Sequence, residues 1–387
     1  MNTIGFILIN KNYYPNVVLL YKLLEYLLMY IQHRNINPIK NWKVNREEIQ
    51  FLGHDLQRPE CILTEPNGTI WTADARGGVM KINPDGSQKL ITPFKESDDL
   101  TTFKKLSNQT NPISEIPNLQ SYNSRYVQAQ GSLPNGLCFD VKGNFIIANW
   151  GTDHIEMMTP EGKLTTLVTE IEGKALGKAN FPLRDSKGRI WFTVTTRTNP
   201  WTEQLNSRAT DGYIALIDEK GVRIVAEGFC GTNEIRFDDT EEWLYVVEST
   251  AHQISRLRVK ENGDLYGREV YARLSGFPDG FAFDTYGNLW TTLIFTDQLA
   301  AITPEGEELI LLDDSNPATK KLLFEHYENR TLTGEILASV QGTLCPWMAS
   351  LSFGGKDMKT VYLGSLRGTR VPYFQSPVAG QKMIHWR

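Results

Sequence analysis

The sequence predicts an all-β fold, a six-bladed β-propeller with an extra N-terminal helix. Three observations predict it: a strand-turn-strand unit that recurs along the chain, a second hairpin after most copies, and a spare β run ahead of the first copy. The unit has a polar head, a turn ending in Gly and an aromatic-rich strand. It appears as ECILTEPNGTIWTAD (60–74), NGLCFDVKGNFIIAN (135–149), NFPLRDSKGRIWFTV (180–194), NEIRFDDTEEWLYVV (233–247) and DGFAFDTYGNLWTTL (279–293), with a weaker sixth copy at 349–365.

Each copy leads into another β run and a tight turn, as in VMKINPDG (79–86), IEMMTPEG (155–162) and LAAITPEG (299–306), and then into one more apolar run such as LTTLV (164–168). Gly and acidic residues supply the chemistry such turns need. Four short antiparallel strands per repeat is a propeller blade. The sixth copy offers only three strands, ending near VPYF (371–374), and EEIQFL (47–52) stands in the phase of the missing outer strand. Pairing the two closes the ring and hides its open edges. Successive copies start 75, 45, 53, 46 and 70 residues apart, against about 40–50 for an ordinary blade. The two long gaps predict insertions at about 93–130 and 313–345; the first reads as a loop, the second, with PATKKLLFEHYENR (317–330), as partly helical.

Residues 1–46 are read as an N-terminal helical extension and residues 47–387 as the propeller. Leu19, Leu20, Leu23, Leu24, Leu27 and Leu28 recur at helical spacing, while Lys22 and Glu25 interrupt the apolar run. A spanning helix needs about 20 nearly uncharged residues, and no small-residue cleavage site precedes His33. The expectation is therefore a helix packed on the propeller or on a twin subunit, with a membrane-surface contact as the alternative. The expected compartment is the cytoplasm, with a membrane-associated or exported form left open.

The 387 residues carry a formal net charge of -5 and 41% hydrophobic residues. Such a chain has ample core material and lacks the basic footprint of a nucleic-acid binder. Cys61, Cys138, Cys230 and Cys345 form no C-x-x-C pair, which excludes a zinc knuckle or a redox motif. They read as buried thiols.

The head of each copy carries the chemistry. In order it is Glu60, Asn135, Asn180, Asn233, Asp279 and then Ala349, and eight residues after each of the first five stands a turn point: Gly68, Gly143, Gly188, Glu241 and Gly287. Shared register predicts that five polar side chains converge at one mouth of the channel. Two carboxylates and three amides facing one another without a counter-charge are costly to bury. A cation resolves the conflict, and an all-oxygen donor set suits a hard divalent ion such as Ca²⁺, with Zn²⁺ or Mn²⁺ as alternatives. The competing reading is that PNG (134–136) and PDG (278–280) are plain turn punctuation.

RPECIL (58–63), LPNGLCFD (133–140), EGKALGKAN (172–180), GFPDGFAFD (276–284) and LSFGGKDMKTVYLGSLRG (351–368) occur in an order that resembles the senescence marker protein/gluconolactonase family. The resemblance covers residues 48–380. It implies that Glu60, Asn180, Asn233 and Asp279 hold the metal, that Asp279 is the general base, and that Asn135 faces the substrate. It also implies a substrate contact for Lys178. Two departures stand out: Phe181 where the family has Asp, which predicts a more apolar pocket wall at Phe181, and Glu234 where Gly is common.

These readings converge on metal-assisted hydrolysis of a small ester, foremost a lactone. No G-x-S-x-G elbow competes for a covalent nucleophile. The rivals are an aryl-ester or organophosphate hydrolase using the same metal, and a ligand-binding propeller with a structural metal. A homo-oligomer stays open.

Overall fold

In the computed structural model, residues 37–93 and 131–386 are described. The chain divides into two compact units, residues 1–42 and 43–387. The leucine-rich N-terminal segment and the insertion from residue 94 to 130 lie outside the described residues. Among the described residues no helix is long and apolar enough to cross a membrane.

The second unit holds six four-stranded antiparallel sheets, five of them ordered as the chain runs, and a separate two-stranded hairpin. The sixth blade takes its outer strand from the front of the unit: Gln50 pairs with Tyr373 and Leu52 with Val371. The expected closure is thus the observed one.

A repeated device fixes the inner hairpins. Five residues after each head stands an acid (Glu65, Asp140, Asp185, Asp238 and Asp284), and in the last four copies following backbone amides donate to its carboxylate. Asp284 Oδ1 accepts from the amides of Tyr286 and Asn288, each at 2.9 Å. Its second oxygen accepts from the Trp290 indole at 2.8 Å, as Asp185 does from Trp191 at 3.0 Å and Glu65 from Trp71 at 2.7 Å. At Asp185 and Asp284 one carboxylate therefore sets both the turn and the rotamer of the large core side chain behind it. The turn point itself needs a positive φ, supplied by Gly68, Gly143, Gly188 and Gly287; Glu241 adopts φ 57° and holds the same conformation. Its carboxylate accepts from Ser186 of the neighbouring blade, N–H at 2.9 Å and O–H at 2.6 Å.

Between blades five and six, residues 313–345 form two helices, Pro317–Glu328 and Gly334–Ser339. Asn316 and Thr333 cap their N-termini, as short polar residues do. Leu323, Tyr327, Leu337 and Val340 pack with Phe277, Phe295 and Trp347 in one buried cluster. The helical expectation for this insertion holds, and the insertion backs one side of the channel mouth.

Candidate functional site

The five polar heads do meet, although four of them stand inside the innermost strands rather than ahead of them. Each inner pairing slips around the head: between Pro134 and Leu137, Ala179 and Pro182, Thr232 and Ile235, and Pro278 and Phe281. A bulge lets one residue leave the in-out alternation, and here it turns Asn135, Asn180, Asn233 and Asp279 toward the channel. Glu60 precedes its strand and follows Arg58, which has φ 57°.

Together they floor a cavity of about 860 Å³, counting its open mouth, and among the described residues its lining acids are Glu60 and Asp279. Glycines permit the convergence. A Cβ on Gly136 would lie 2.6 Å from Asn180 O, and one on Gly280 would lie 2.6 Å from Ser350 Cα. Neither glycine has a positive φ. The PNG and PDG glycines are therefore close-approach positions and not turn punctuation.

The hydrogen bonds leave a definite set of oxygens over. Arg58 donates to Asn135 Oδ1 at 2.6 Å, and Asn135 Nδ2 donates to Glu60 Oε1 at 3.0 Å and to Asn180 O at 3.1 Å. Asn180 Nδ2 donates to Thr195 at 3.1 Å and Asn233 Nδ2 to Ser249 at 3.2 Å. Among the described residues, Glu60 Oε2, 3.9 Å from Arg58 Nη1, and Asn180 Oδ1 are buried and accept no hydrogen bond. Orphaned buried oxygens are rare in folded proteins. Both belong to the predicted metal ligands, and the donor set fits a hard cation. Among the described residues no group of three His, Cys, Asp or Glu is arranged for a metal, so a cation here would draw on amide oxygens as well.

Burial pushes the Glu60 carboxyl up to about 7, against the pull of Arg58 and the Asn135 hydrogen bond. Asp279 is driven well above the usual carboxylate range, first by burial and then by the charges of Glu60 and Glu234. Glu234 lies under the same floor, paired with Arg236, and burial pushes it to about 7. Three crowded carboxylates with two guanidiniums form a site that a divalent cation would relieve.

Of the three expected substrate contacts, Phe181 and Lys178 lie off the cavity lining and Asn135 lies on it. The Phe181 ring is in the core, 3% exposed, with the Arg236 guanidinium 5.8 Å from its centre. It does not line the cavity, because the strand alternation beyond the bulge turns it inward. Lys178 Nζ pairs with Asp153 at 2.9 Å and donates to Trp150 O at 3.3 Å, behind the wall rather than on it. Asn135 lines the cavity, but its amide is committed on both sides and serves as a brace between Arg58 and Glu60. The apolar wall comes instead from Trp150, Trp201, Leu205, Phe295, Trp347 and Leu366. Leu205 sits on the short helix Glu203–Ser207 and the others on loops, outside the strand repeat. Arg58, two residues before Glu60 in RPECIL, was within reach of sequence reasoning.

All four cysteines are buried and unpaired. Cys61 Sγ accepts from the Leu137 amide at 3.3 Å, so it links the first two blades without a disulfide.

A sequence profile of the SMP-30/Gluconolactonase/LRE-like region matches residues 115–333, more than half of the chain. The chain belongs to this family. Among curated family relatives, a 6-deoxy-6-sulfogluconolactonase of Pseudomonas putida is 24% identical over 246 residues, covering 62% of this chain and 72% of its own. The strictosidine synthase-like protein 13 of Arabidopsis thaliana is 31% identical over 172 residues, 41% of each chain. Solved propellers share the fold. A gluconolactonase of Xanthomonas campestris superposes with a TM-score of 0.56 at 16% identity, over 86% of this chain and 89% of its own. A calcium-binding regucalcin of Agrobacterium tumefaciens gives 0.57 at 13%, over 87% and 98%.

Proposed function

We propose that this propeller hydrolyses a small cyclic ester, a lactone, at the acidic mouth of its channel and that it does so with a divalent cation, foremost calcium. The observation that carries the reading is the pair of orphaned oxygens, Glu60 Oε2 and Asn180 Oδ1, beside the buried Asp279. Family membership and the sulfogluconolactonase relative support the lactone.

Glu60, Asn180, Asn233 and Asp279 would hold the cation. When bound, it supplies Lewis acidity, polarising the carbonyl and offsetting the charge that develops on its oxygen. Asp279 is the proposed base, since Glu60 is tied to the Asn135 amide and no other acid among the described residues lines the cavity. Asp279 takes one proton of the attacking water as the new C–O bond forms at the carbonyl carbon. It returns that proton to the ring oxygen as the ring C–O bond breaks, leaving a hydroxy acid. Arg58 and Asn135 orient Glu60, and the aromatic wall excludes bulk water.

A panel of lactones and aryl esters, assayed with Ca²⁺, Mn²⁺, Zn²⁺ and chelator, tests the reading. Lactone turnover that chelation abolishes and calcium restores is expected, and Asp279→Asn should lower kcat by at least 100-fold, the order of general-base catalysis, while the protein stays folded. Undiminished turnover in Asp279→Asn removes the assigned base, and indifference to chelator removes the metal.

A further inference from the structure

The polar floor and the walls of the cavity differ in what they have left to offer a ligand. Along the mouth most polar groups are already engaged within the protein. Gln204 donates to Thr250 at 2.7 Å, Thr195 and Ser249 accept from Asn180 and Asn233, and Arg367 donates to Ala338 O at 3.0 Å with its guanidinium 5.2 Å over Trp347. A polyhydroxylated ring would give up water around several hydroxyls and find few partners. The remaining wall is aromatic. Trp150 and Trp201 meet edge to face at 5.5 Å, Phe295 and Trp347 at 5.2 Å, and Leu205 and Leu366 fill between them. The two helices of residues 317–339 hold this wall: Leu337 and Val340 pack behind Phe295 and Trp347, and the Trp347 indole donates to Val340 O at 2.6 Å. Among the described residues the buried indole N–H of Trp201 has no hydrogen-bond partner.

We propose that the substrate is a lactone bearing an apolar alkyl or aryl substituent, its ester group over the acidic floor and its substituent against the Trp150–Trp201 and Phe295–Trp347 wall. This rests on the lactonase reading above. The Trp201 N–H is placed to meet a ligand oxygen at the junction of floor and wall. Polyol lactones are the poorer ligands, for want of free donors and acceptors at the mouth.

The test is a binding measurement that needs no turnover. δ-Lactams are hydrolysis-resistant counterparts of δ-lactones. Calorimetric titrations of the calcium-loaded protein would use δ-lactams with a propyl, pentyl or heptyl chain, and gluconolactam as the polyol counterpart. The expected result is a Kd that tightens about fourfold per added methylene, the equivalent of about 0.8 kcal/mol per buried CH₂, with gluconolactam the weakest. Trp201→Ala, folded by its melting curve, should flatten the chain-length series. A flat series in the unaltered protein, or gluconolactam binding as tightly as the heptyl lactam, overturns the proposal and leaves the lactonase reading standing. Failure of every lactam to bind overturns both.

Discussion

Gly280→Ala tests whether the glycine after Asp279 is a turn residue or a spacer between blades. A Cβ at 280 would stand 2.6 Å from Ser350 Cα, 2.7 Å from Ala349 O and 2.7 Å from Glu234 Oε2. Ordinary contact begins near 3.4 Å, so the inner strands of blades five and six must part by roughly 0.8 Å. Two of the three obstacles are backbone and cannot rotate away. Overpacking of this kind costs about 1–3 kcal/mol, and the backbone contacts argue for the upper end. At about 2–4 °C per kcal/mol for a large domain, the midpoint should fall by roughly 6–10 °C in a calorimetric scan. Asp279 moves with its neighbour, and a misplacement near 1 Å costs about 100-fold in rate. Gly334→Ala is the control, because a Cβ there meets nothing within 4 Å; its midpoint should stay within about 1 °C. Should Gly280→Ala melt and turn over like the unaltered protein, the close-approach argument is wrong and PDG is punctuation after all.

Glu60→Gln should remove the stabilisation on adding calcium, which in the unaltered protein should reach about 2.7 kcal/mol at a hundredfold excess over Kd and raise the melting temperature; scans with calcium and with chelator decide it. In chelator, stability should fall as pH rises from about 4.5 to about 7. Glu60 and Glu234 hold their protons to about 7 when folded and only to about 4.5 when unfolded, so the folded state binds more protons in that window and loses stability through it. Glu234→Gln should remove about 3 kcal/mol of that fall, and a pH profile unchanged by the substitution would refute the assignment. Leu337→Ala should cost about 2–4 kcal/mol as a core truncation and raise KM for a lactone more than it lowers kcat, since Leu337 lies behind the wall and not at the floor.

The propeller was legible because its signal is repeated: a head, an acid five residues on and a turn point eight residues on, in five copies. Even Glu241, which breaks the glycine pattern, was placed correctly by register and adopts φ 57°. The convergence of Glu60, Asn135, Asn180, Asn233 and Asp279 was legible for the same reason. Hidden were the bulges, since one extra residue in a strand leaves no mark in a two-residue alternation whose both faces are buried. Phe181 was expected on the cavity wall from the family pattern alone, and it lies in the core. The wall itself comes from Trp150, Trp201, Phe295 and Trp347, which occupy loops of unequal length with no shared register.

The two departures from the family pattern take on a different meaning once the blades are in contact. Phe181 was read as a change to the pocket wall and Glu234 as a departure where Gly is common, yet each is matched to a glycine in another blade. A Cβ on Gly136 would strike the Phe181 backbone and ring, both at 2.7 Å, and one on Gly280 would strike the Glu234 carboxylate. The bulky ring and the third carboxylate thus occupy space that the glycines leave free beneath the floor. Phe181 therefore carries no information about whether the substrate is a sugar, whereas Glu234 changes the site electrostatically by adding a buried negative charge under Asp279. Substrate preference has to be read from the loops and the helical insertion, and cation dependence from the floor. The two can vary independently, because the floor is built by strands and the wall by what connects them.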